Sequence, residues 1–243
     1  MTRVTVVTGG SRGIGAATCR KLATPGHALA IGYRSDAAAA AQVAADVVVA
    51  GGVALPIRVD TTVRADVTAL FDRASAEFGQ VTGLVNNAGI GSAIGPFVDL
   101  TEDDLRRVVD VNVIGYFFCA QEAARRMGTG GAIVNVSSGA ATTGSPREYV
   151  HYAASKAAVD TLTLGLAKEL APRGIRVNTV APGVTHTEFH AGSGEPGRAD
   201  RMGPNLPLGR AGKPEEVANA IAWLLSDEAS YTTGANLRVA GGV

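Results

Sequence analysis

Residues 3–23 read RVTVVTGGSRGIGAATCRKLA, and this stretch decides the fold. The run from Arg3 to Val7 is rich in valine and threonine, which is typical of a buried β-strand. The segment from Thr8 to Gly15 follows directly and contains four glycines, and the helix-forming run from Ala16 to Ala23 comes after it. Glycine allows a positive φ and lets a ligand approach the backbone without a Cβ in the way. The stretch therefore predicts a strand, a glycine turn and a helix, in that order.

A glycine turn at the start of a helix is suited to binding a phosphate group. The first N–H groups of a helix have no partner within the helix, and the helix dipole places partial positive charge there. The spacing is Gly-x-x-x-Gly-x-Gly from Gly9 to Gly15, which differs from the usual Gly-x-Gly-x-x-Gly of dinucleotide-binding turns. An ordinary tight turn is the alternative. Because a strand and a helix flank the glycines, we expect the turn to bind the pyrophosphate of a dinucleotide.

Apolar, β-branched runs alternate with helical patterns along the whole chain, at the rhythm of βαβ units. Near-continuous apolar strands are typical of a parallel sheet with helices on both faces. The sequence therefore predicts a single α/β domain over residues 1–243 with a doubly wound parallel β-sheet, the Rossmann fold, whose ligands bind beyond the carboxyl ends of the strands. The predicted strands are 3–7, 28–33, 53–59, 83–86, 132–136, 176–181 and 236–239. The predicted helices are 13–23, 36–50, 64–78, 101–127, 152–171 and 214–225.

The composition of the chain excludes several classes of protein. A chain of 243 residues with 46% apolar content can bury one substantial core. Its 22 basic and 22 acidic residues leave no net charge and form no basic cluster, so nucleic acid is not an expected partner. No apolar run approaches the roughly 20 residues that span a bilayer, and the strand beginning at Arg3 leaves no room for a signal peptide. We therefore expect a cytoplasmic protein with no membrane partner, in which Cys19 and Cys119 are buried thiols.

One region interrupts the alternation of strands and helices. Between Val184 and Gly212, glycine and proline recur too often for a regular element. A long loop that follows a strand end in a compact domain is usually a lid or a binding loop. We predict that residues 184–212 cover the substrate, and a disordered surface excursion is the alternative.

Tyr152 and Lys156 form a candidate device for proton transfer. A free phenol has a pKa near ~10, so it is a poor acid–base group at neutral pH. Residues i and i+4 lie on one helix face with Cβ atoms roughly 5–6 Å apart, and a positive charge at that range lowers the pKa of the phenol. Tyr149, which has Ala153 at i+4, lacks such a charge. The sequence therefore favours Tyr152 as a general acid, and an exposed pair with little effect on stability is the alternative.

The motifs occur together in one order along essentially the whole chain. They are Thr8-Gly9-x-x-x-Gly13-Ile14-Gly15, Asp60, Asn86-Asn87-Ala88-Gly89, Asn112, Ser137-Ser138, Tyr152-x-x-x-Lys156, Pro182-Gly183 with Thr187, and Gly241-Gly242. This set resembles that of the short-chain dehydrogenases/reductases, and within that family the 3-oxoacyl-carrier-protein reductases and sugar-alcohol dehydrogenases. The resemblance implies a nicotinamide-dependent oxidoreductase that acts on CH–OH groups and is usually a homotetramer.

The resemblance also implies a catalytic set of Asn112, Ser138, Tyr152 and Lys156. Hydride transfer to a ketone builds negative charge on oxygen, so the hydroxyls of Ser138 and Tyr152 are suited to donate to that oxygen. In the family, the lysine also reaches the nicotinamide ribose, and the asparagine is linked to it through water. A satisfied core amide is the alternative for Asn112. Ser137 competes with Ser138 for the substrate role, and the family pattern favours Ser138.

The charges at the end of the second strand favour NADP(H). NAD enzymes of this architecture place an acid there for the ribose 2′-hydroxyl, whereas NADP enzymes have an arginine nearby. Here the strand ends in Arg34 and Ser35, and Arg12 lies in the glycine turn. Asp36 comes two residues late and is predicted to cap the next helix, and Ser35 is suited either to capping or to phosphate binding. NADP(H) is therefore the expected cofactor, and NAD(H) is the alternative.

The glycine turn, these charges and the resemblance together predict one set of cofactor-binding residues. Within that set, the resemblance implies that Asp60 holds the adenine edge and that residues 87–89 contact the adenosine ribose. The residues of the set are Gly9, Ser11, Arg12, Gly13, Ile14, Gly15, Arg34, Ser35, Asp60, Asn87, Ala88, Gly89, Pro182, Gly183 and Thr187. No metal is expected. His186 and His190 enclose an acid, but Glu188 comes one place too late for a His-Glu-x-x-His zinc motif.

The leading hypothesis is therefore an NADPH-dependent oxidoreductase that reversibly reduces a ketone to a secondary alcohol. An NAD-dependent alcohol or sugar dehydrogenase is the first alternative, and a cofactor-sensing protein without turnover is the second. An acyl carrier protein would require a basic docking patch. The sequence offers only a small group of basic residues for it, namely Arg125, Arg126 and Arg173. The gap from Ser138 to Tyr152 is a residue longer than is common in those reductases, so the substrate stays open.

Overall fold

The structure, a computed structural model, describes residues 3–243, and Met1 and Thr2 of the predicted domain lie outside the described residues. Seven parallel strands form one sheet in the order β3-β2-β1-β4-β5-β6-β7. The strands are β1 (Arg3–Val7), β2 (His27–Tyr33), β3 (Val53–Arg58), β4 (Gly83–Asn86), β5 (Ala132–Val136), β6 (Arg176–Pro182) and β7 (Asn236–Val239). The prediction of a doubly wound parallel sheet is confirmed, and every predicted strand boundary lies within one residue of the observed one.

Helices cover both faces of this sheet. They are α1 (Gly13–Leu22), α2 (Ala37–Val49), α3 (Arg64–Phe78), α4 (Glu102–Val109), α5 (Gly115–Arg126), α6 (Ala140–Thr143), α7 (Val150–Leu170), α8 (Phe189–Gly192), α9 (Arg198–Met202) and α10 (Pro214–Leu225). Because successive strand residues point to opposite faces, Val6 packs in the core on one side and Val7 in the core on the other. The first core includes Phe71 of α3, and the second includes Ile221 of α10.

The strand order places a crevice at the carboxyl end of β1. β1 pairs with β2 on one side, where Val6 lies opposite Ala30, and with β4 on the other, where Val6 lies opposite Leu84. The chain leaves β1 and β4 toward opposite sides, so the connections diverge and leave a gap above the strand ends. Ligands of open α/β sheets bind at such switch points.

The helix predicted over 101–127 is present from Glu102 to Arg126, but it contains a π-helical turn that the sequence did not predict. Thr101 caps α4 by accepting a hydrogen bond from the N–H of Asp104, but a π-helical turn over Asp110–Ile114 separates α4 from α5. Asn112 lies in this wider turn, where its side chain bonds to the loop that follows β4. A π turn adds only one residue to an α-helical pattern, so apolar periodicity does not reveal it, and such turns are frequent at functional sites.

The segment 184–212, called the lid below, is more regular than its glycines and prolines suggested. It contains α8, α9 and a 3₁₀ turn over Gly203–Asn205. Its base is closed by a bridge between Thr185 and Gly212. Within residues 3–243, no helix is both long and apolar enough to cross a membrane.

Candidate active site

A cavity of about 920 Å³ opens above the carboxyl ends of the strands. Its walls come from the glycine turn after β1, the end of β2, the loop after β4, the Ser137–Ser138 pair after β5, the start of α7 and the lid. The predicted cofactor residues other than Gly15 line this cavity, as do Ser138, Tyr152 and Lys156. One continuous cleft therefore joins the glycine turn to the candidate catalytic pair.

The glycine turn has the conformation that its residues predict. Gly9 and Gly13 have φ values of 62° and 51°, in the left-handed region that favours glycine. α1 begins after Arg12 without any side-chain cap, which leaves its first N–H groups available to a ligand in the cleft. Uncapped N–H groups at a glycine turn fit a pyrophosphate.

Gly15, which is predicted to bind the cofactor, has a packing role in the structure. A Cβ at Gly15 would lie 2.2 Å from the carbonyl oxygen of Gly9 and 2.6 Å from Nδ2 of Asn87. Gly15 is buried behind the turn and does not line the cleft. Its lack of a side chain therefore lets α1 pack against the glycine turn.

Asn87 braces the same turn with its side chain. Its Nδ2 donates to the carbonyl oxygens of Thr8 and Gly9, both at 3.0 Å. The hydroxyl of Thr8 in turn accepts hydrogen bonds from the N–H groups of Asn87 and Ala88. The amide of Asn87 thus holds the loop after β4 to the glycine turn, while residues 87–89 keep their place in the cleft wall.

The end of β2 presents cationic and hydroxyl groups to the cleft. The side chain of Arg34 is 68% exposed, and its Nε lies 3.4 Å from Oδ2 of Asp60. Asp36 caps α2 by accepting from the N–H of Ala39 at 2.9 Å, as predicted. Ser35 is therefore not the cap of that helix and stays exposed at the cleft.

Asp60 is held as a carboxylate. Partial burial alone would raise its pKa, but hydrogen bonds from Thr62 and the charges of Arg34 and Arg58 outweigh burial and lower the pKa. Oδ1 of Asp60 accepts from both the N–H and the hydroxyl of Thr62. This end of the cleft thus carries both a positive charge, on Arg34, and a negative charge, on Asp60.

Tyr152 and Lys156 lie together at the other end of the cleft. Both belong to α7, and the Nζ atom of Lys156 lies 5.8 Å from the centroid of the Tyr152 ring. The lysine side chain is almost completely buried, and Nζ donates to the carbonyl oxygen of Val136 at 2.8 Å and to the hydroxyl of Tyr116 at 3.1 Å. Tyr116 also donates to Val136, so β5 and α5 fix the position of the amine.

The expected lowering of the Tyr152 pKa is not what the protein shows. Burial raises the pKa of the Tyr152 phenol, and the hydrogen bond with Ser138 opposes this only in part. Burial also lowers the pKa of Lys156 to about 7, and the charge of Asp160 acts against burial. The sequence showed the spacing of the pair but not its removal from water, which favours the neutral form of both groups.

Asn112 is fully engaged within the protein. Its Oδ1 accepts from the N–H of Ile90 at 2.9 Å, and its Nδ2 donates to the carbonyl oxygen of Ile90 at 2.9 Å and to the hydroxyl of Ser155 at 3.1 Å. It does not line the cleft, so these contacts favour the satisfied amide. A Cβ built on Gly89 would nevertheless lie 3.4 Å from both Oδ1 of Asn112 and Nζ of Lys156, which places both groups close to the same point beside Gly89.

The two serines after β5 have different partners. Ser137 is buried, and its hydroxyl donates to the carbonyl oxygen of Lys156 at 3.1 Å. The hydroxyl of Ser138 accepts from the N–H of Ala140 at 3.1 Å and also interacts with the phenol of Tyr152. The contacts therefore favour Ser138 as the residue that meets a substrate.

Aromatic side chains surround the Tyr152 ring. Tyr149 packs edge-on against it with centroids 5.2 Å apart, and Phe189 of the lid lies 5.3 Å away on a tilted plane. Ile94 packs against the same cluster. Tyr149 and Phe189 line the cleft, so the cleft has aromatic walls next to the candidate acid.

The two lid histidines have separate partners. His190 contacts the carbonyl oxygen of Thr185 at 3.1 Å through Nε2, and His186 lies 3.8 Å from Asp200. Over the part of the chain that the structure describes, no three His, Cys, Asp or Glu side chains are grouped to hold a metal.

Comparison with known proteins identifies the family. The family model described as enoyl-(acyl carrier protein) reductase matches residues 9–243. A short-chain dehydrogenase from Burkholderia cenocepacia, solved in complex with NADP, is 39% identical, with a TM-score of 0.92 over 100% of this chain and 98% of that one. The chain belongs to the short-chain dehydrogenase/reductase family. It is therefore an NAD(P)-dependent enzyme that acts on CH–OH groups.

Two curated relatives of this short-chain dehydrogenase/reductase cover nearly the whole chain. The uncharacterized oxidoreductase YgfF of Escherichia coli is 50% identical over 98% of this chain and 99% of its own length. The cis-4-hydroxycyclohexanecarboxylate dehydrogenase of Sinomonas cyclohexanicum is 46% identical over 99% of this chain and 96% of its own length.

Some site residues are absent from the sequence prediction. Tyr116 anchors Lys156, and Glu148 and Arg198 form an ion pair at the rim of the cleft. The long gap between Ser138 and Tyr152 pointed to the loop that carries Glu148 but gave no partner for it. Nothing in the sequence connects Tyr116 to the lysine, because 40 residues separate them.

Proposed function

We propose that this short-chain dehydrogenase/reductase uses NADPH to reduce a ring ketone reversibly to a secondary alcohol, with Tyr152 as the general acid. One observation carries the proposal. The hydroxyls of Ser138 and Tyr152 and the amine of Lys156 lie in the same cleft as the uncapped glycine turn. A dinucleotide lying along this cleft has its phosphates at one end and the proton donors at the other.

The residues present fit NADPH. The turn from Ser11 to Ile14 would hold the pyrophosphate through backbone N–H groups, and Arg34, Ser35 and Arg12 would meet the ribose 2′-phosphate. Residues 87–89, Pro182, Gly183 and Thr187 would complete the walls. When bound, the reduced nicotinamide supplies the hydride that adds to the carbonyl carbon.

The chain's own groups supply the proton and stabilise the developing charge. Ser138 and Tyr152 donate hydrogen bonds to the carbonyl oxygen, and Tyr152 gives up its proton as negative charge grows there. Burial keeps the phenol protonated before reaction, which suits an acid in the reducing direction. The ammonium form of Lys156 then stabilises the phenolate. Asn112, which lies beside Gly89 close to the amine of Lys156, is the proposed start of the path that returns a proton through water.

Two observations support a ring as the substrate's shape. Tyr149 and Phe189 line the cleft beside Tyr152 and give it an aromatic wall, which suits an alicyclic skeleton. The relative from Sinomonas cyclohexanicum is named for a hydroxycyclohexane substrate. We therefore place cyclohexanone-type ketones ahead of open-chain ones.

A second candidate is an NAD-dependent dehydrogenase with the same catalytic groups. The ion pair between Arg34 and Asp60 favours it, since Asp60 offsets part of the charge that a 2′-phosphate would meet. A cofactor sensor without turnover is less well supported, because Tyr152 and Lys156 both line the cleft. Docking of an acyl carrier protein is also less well supported, because Arg125 and Arg126 already pair with Glu122.

The homotetramer and the cytoplasmic location stay predictions. Large apolar side chains are exposed along the α4–α5 segment, at Val109, Ile114 and Phe117, which supports self-association. Light scattering coupled to size-exclusion chromatography measures the subunit count directly.

The test of the proposed function is a panel of ring and open-chain ketones with NADPH and NADH. Turnover is followed by the absorbance of the reduced nicotinamide, and the reverse reaction is run with the matching alcohols. We expect a higher kcat/KM for a ring ketone with NADPH than with NADH. Preference for NADH would support the second candidate, and no turnover with any pair would contradict both.

A further inference from the structure

The lid carries an arginine whose side chain is almost completely buried. Arg198, in α9, is 3% exposed. Its Nη2 donates to Oε2 of Glu148 at 2.6 Å, and its Nη1 donates to Oε2 of Glu195 at 3.0 Å. A buried arginine must be paired, and here one partner belongs to the lid and the other to the loop that precedes α7. Arg198 therefore ties the lid to the rim of the cleft.

The guanidinium of Arg198 also reaches the aromatic cluster. Its Cζ atom lies 5.4 Å from the centroid of the Tyr149 ring, within cation–π range. Tyr149 packs against the Tyr152 ring at 5.2 Å with an interplanar angle of 84°. Phe189, also from the lid, contacts the Tyr152 ring from another side. The lid thus reaches the candidate acid directly through Phe189 and indirectly through Arg198 and Tyr149.

The loop that carries Glu148 is strained. Ser145 and Arg147 have φ values of 43° and 64°, a left-handed conformation that non-glycine residues adopt at a cost. Such residues persist where the surrounding structure fixes them. Two contacts join Glu148 to other segments of the chain, since its carbonyl oxygen accepts from the N–H of Gly95 at 3.0 Å and its carboxylate pairs with Arg198. Losing Arg198 removes one of the two.

We propose that Arg198 is a positioning residue, which holds the ring of Tyr152 in its reactive place by pairing with Glu148 and stacking on Tyr149. The inference rests on the proposed function, because it assumes that Tyr152 is the general acid. It gives the lid a role in assembling the site, in addition to the predicted role of covering the substrate. It also gives a role to Tyr149, which lacks a lysine at i+4: its ring connects the guanidinium of Arg198 to the ring of Tyr152.

The kinetic test compares Arg198→Met with Arg201→Met. Arg201 lies in the same helix and bonds to Glu195, but its side chain is 60% exposed and it makes no contact with Tyr149 or Glu148. For Arg198→Met we expect kcat to fall about tenfold or more, while the NADPH dissociation constant and KM change less than about threefold. For Arg201→Met we expect less than a twofold change in kcat. A change in KM alone, or equal effects in the two variants, would overturn the proposal.

A double-mutant cycle tests the route through Tyr149. If Arg198 acts through that ring, the variant carrying both Arg198→Met and Tyr149→Ala is about as slow as the slower single variant. If the fold-loss of kcat in the double variant equals the product of the two single fold-losses, the two residues act independently, and the proposed route from Arg198 through Tyr149 is wrong. Glu148→Gln keeps the shape of the pair and is expected to lower kcat by less than Arg198→Met.

Hydrogen exchange tests the positioning without any turnover. The N–H of Gly95 bonds to Glu148, and the N–H of Tyr149 bonds to Ser145. Both should exchange faster in Arg198→Met than in Arg201→Met. Unchanged exchange refutes the positioning role even if the enzyme is active. A wild-type enzyme without turnover on any ketone refutes the proposed function instead, and the exchange result still decides what Arg198 does.

Discussion

Replacing Arg34 with aspartate should weaken NADPH binding and spare NADH binding. A hydrogen bond to a charged group contributes about 1.5–3 kcal/mol, but the side chain of Arg34 is 68% exposed, so solvent screening reduces that figure. Repulsion between the new carboxylate and the 2′-phosphate adds to the loss. Taking these together, we expect a loss of about 1–2 kcal/mol, which is roughly a 5- to 30-fold rise in the NADPH dissociation constant.

Titration of the enzyme followed by reduced-nicotinamide fluorescence measures both dissociation constants. Arg73→Asp is the control, because Arg73 is exposed on α3 and does not line the cleft. We expect it to change NADPH affinity by less than about threefold, since exposed charges act weakly over a distance. Equal NADPH affinity in wild type and Arg34→Asp, or an equal loss in both variants, would refute the assignment of Arg34 to the 2′-phosphate.

Changes of pH and substitutions at Gly15 and Phe117 test the role of Lys156, the packing of the glycine turn and the predicted subunit interface. Burial brings the pKa of Lys156 to about 7, so the ammonium that stabilises the phenolate is lost as pH rises through that value. We therefore expect kcat for ketone reduction to fall between about pH 7 and 9. A kcat that does not change with pH over that range would contradict this role of Lys156. Gly15→Ala should lower the free energy of unfolding by about 2 kcal/mol or more in urea titrations, whereas Gly165→Ala, whose Cβ meets nothing within 4 Å, should not lower it. Phe117→Glu should give a smaller species than wild type in light scattering if the exposed α4–α5 side chains are an interface, and an unchanged mass would exclude that interface.

The strands and the switch point could be predicted from the sequence because buried parallel strands appear as short apolar runs. The turn from Thr8 to Gly15 fixed the first βαβ unit, and each later run matched an observed strand to within one residue. The π-helical turn at Asp110–Ile114 could not be predicted in this way. Within it, Asn112 bonds to Ile90, a contact between residues that are 22 positions apart and that no local pattern reveals.

The site was predictable to the extent that its residues belong to local motifs. Asp36 as a helix cap and the spacing of Tyr152 and Lys156 are examples. The direction of the Tyr152 pKa was not predictable, because it depends on burial by side chains from the lid and from the preceding loop. The pairing of Glu148 with Arg198 joins residues 50 positions apart, and no pattern in either segment points to the other.

Tyr152→Phe tests the central claim most directly. The substitution removes one hydroxyl and leaves the ring that Tyr149 and Phe189 pack against, so the fold and the NADPH dissociation constant should stay unchanged. Tyr231→Phe removes the same group from a fully exposed tyrosine and serves as the control. With a ring ketone that the wild type reduces, we predict that kcat/KM falls by about 10³-fold or more in Tyr152→Phe and less than about twofold in Tyr231→Phe. Turnover by Tyr152→Phe within about tenfold of wild type would contradict the role of this phenol as the general acid.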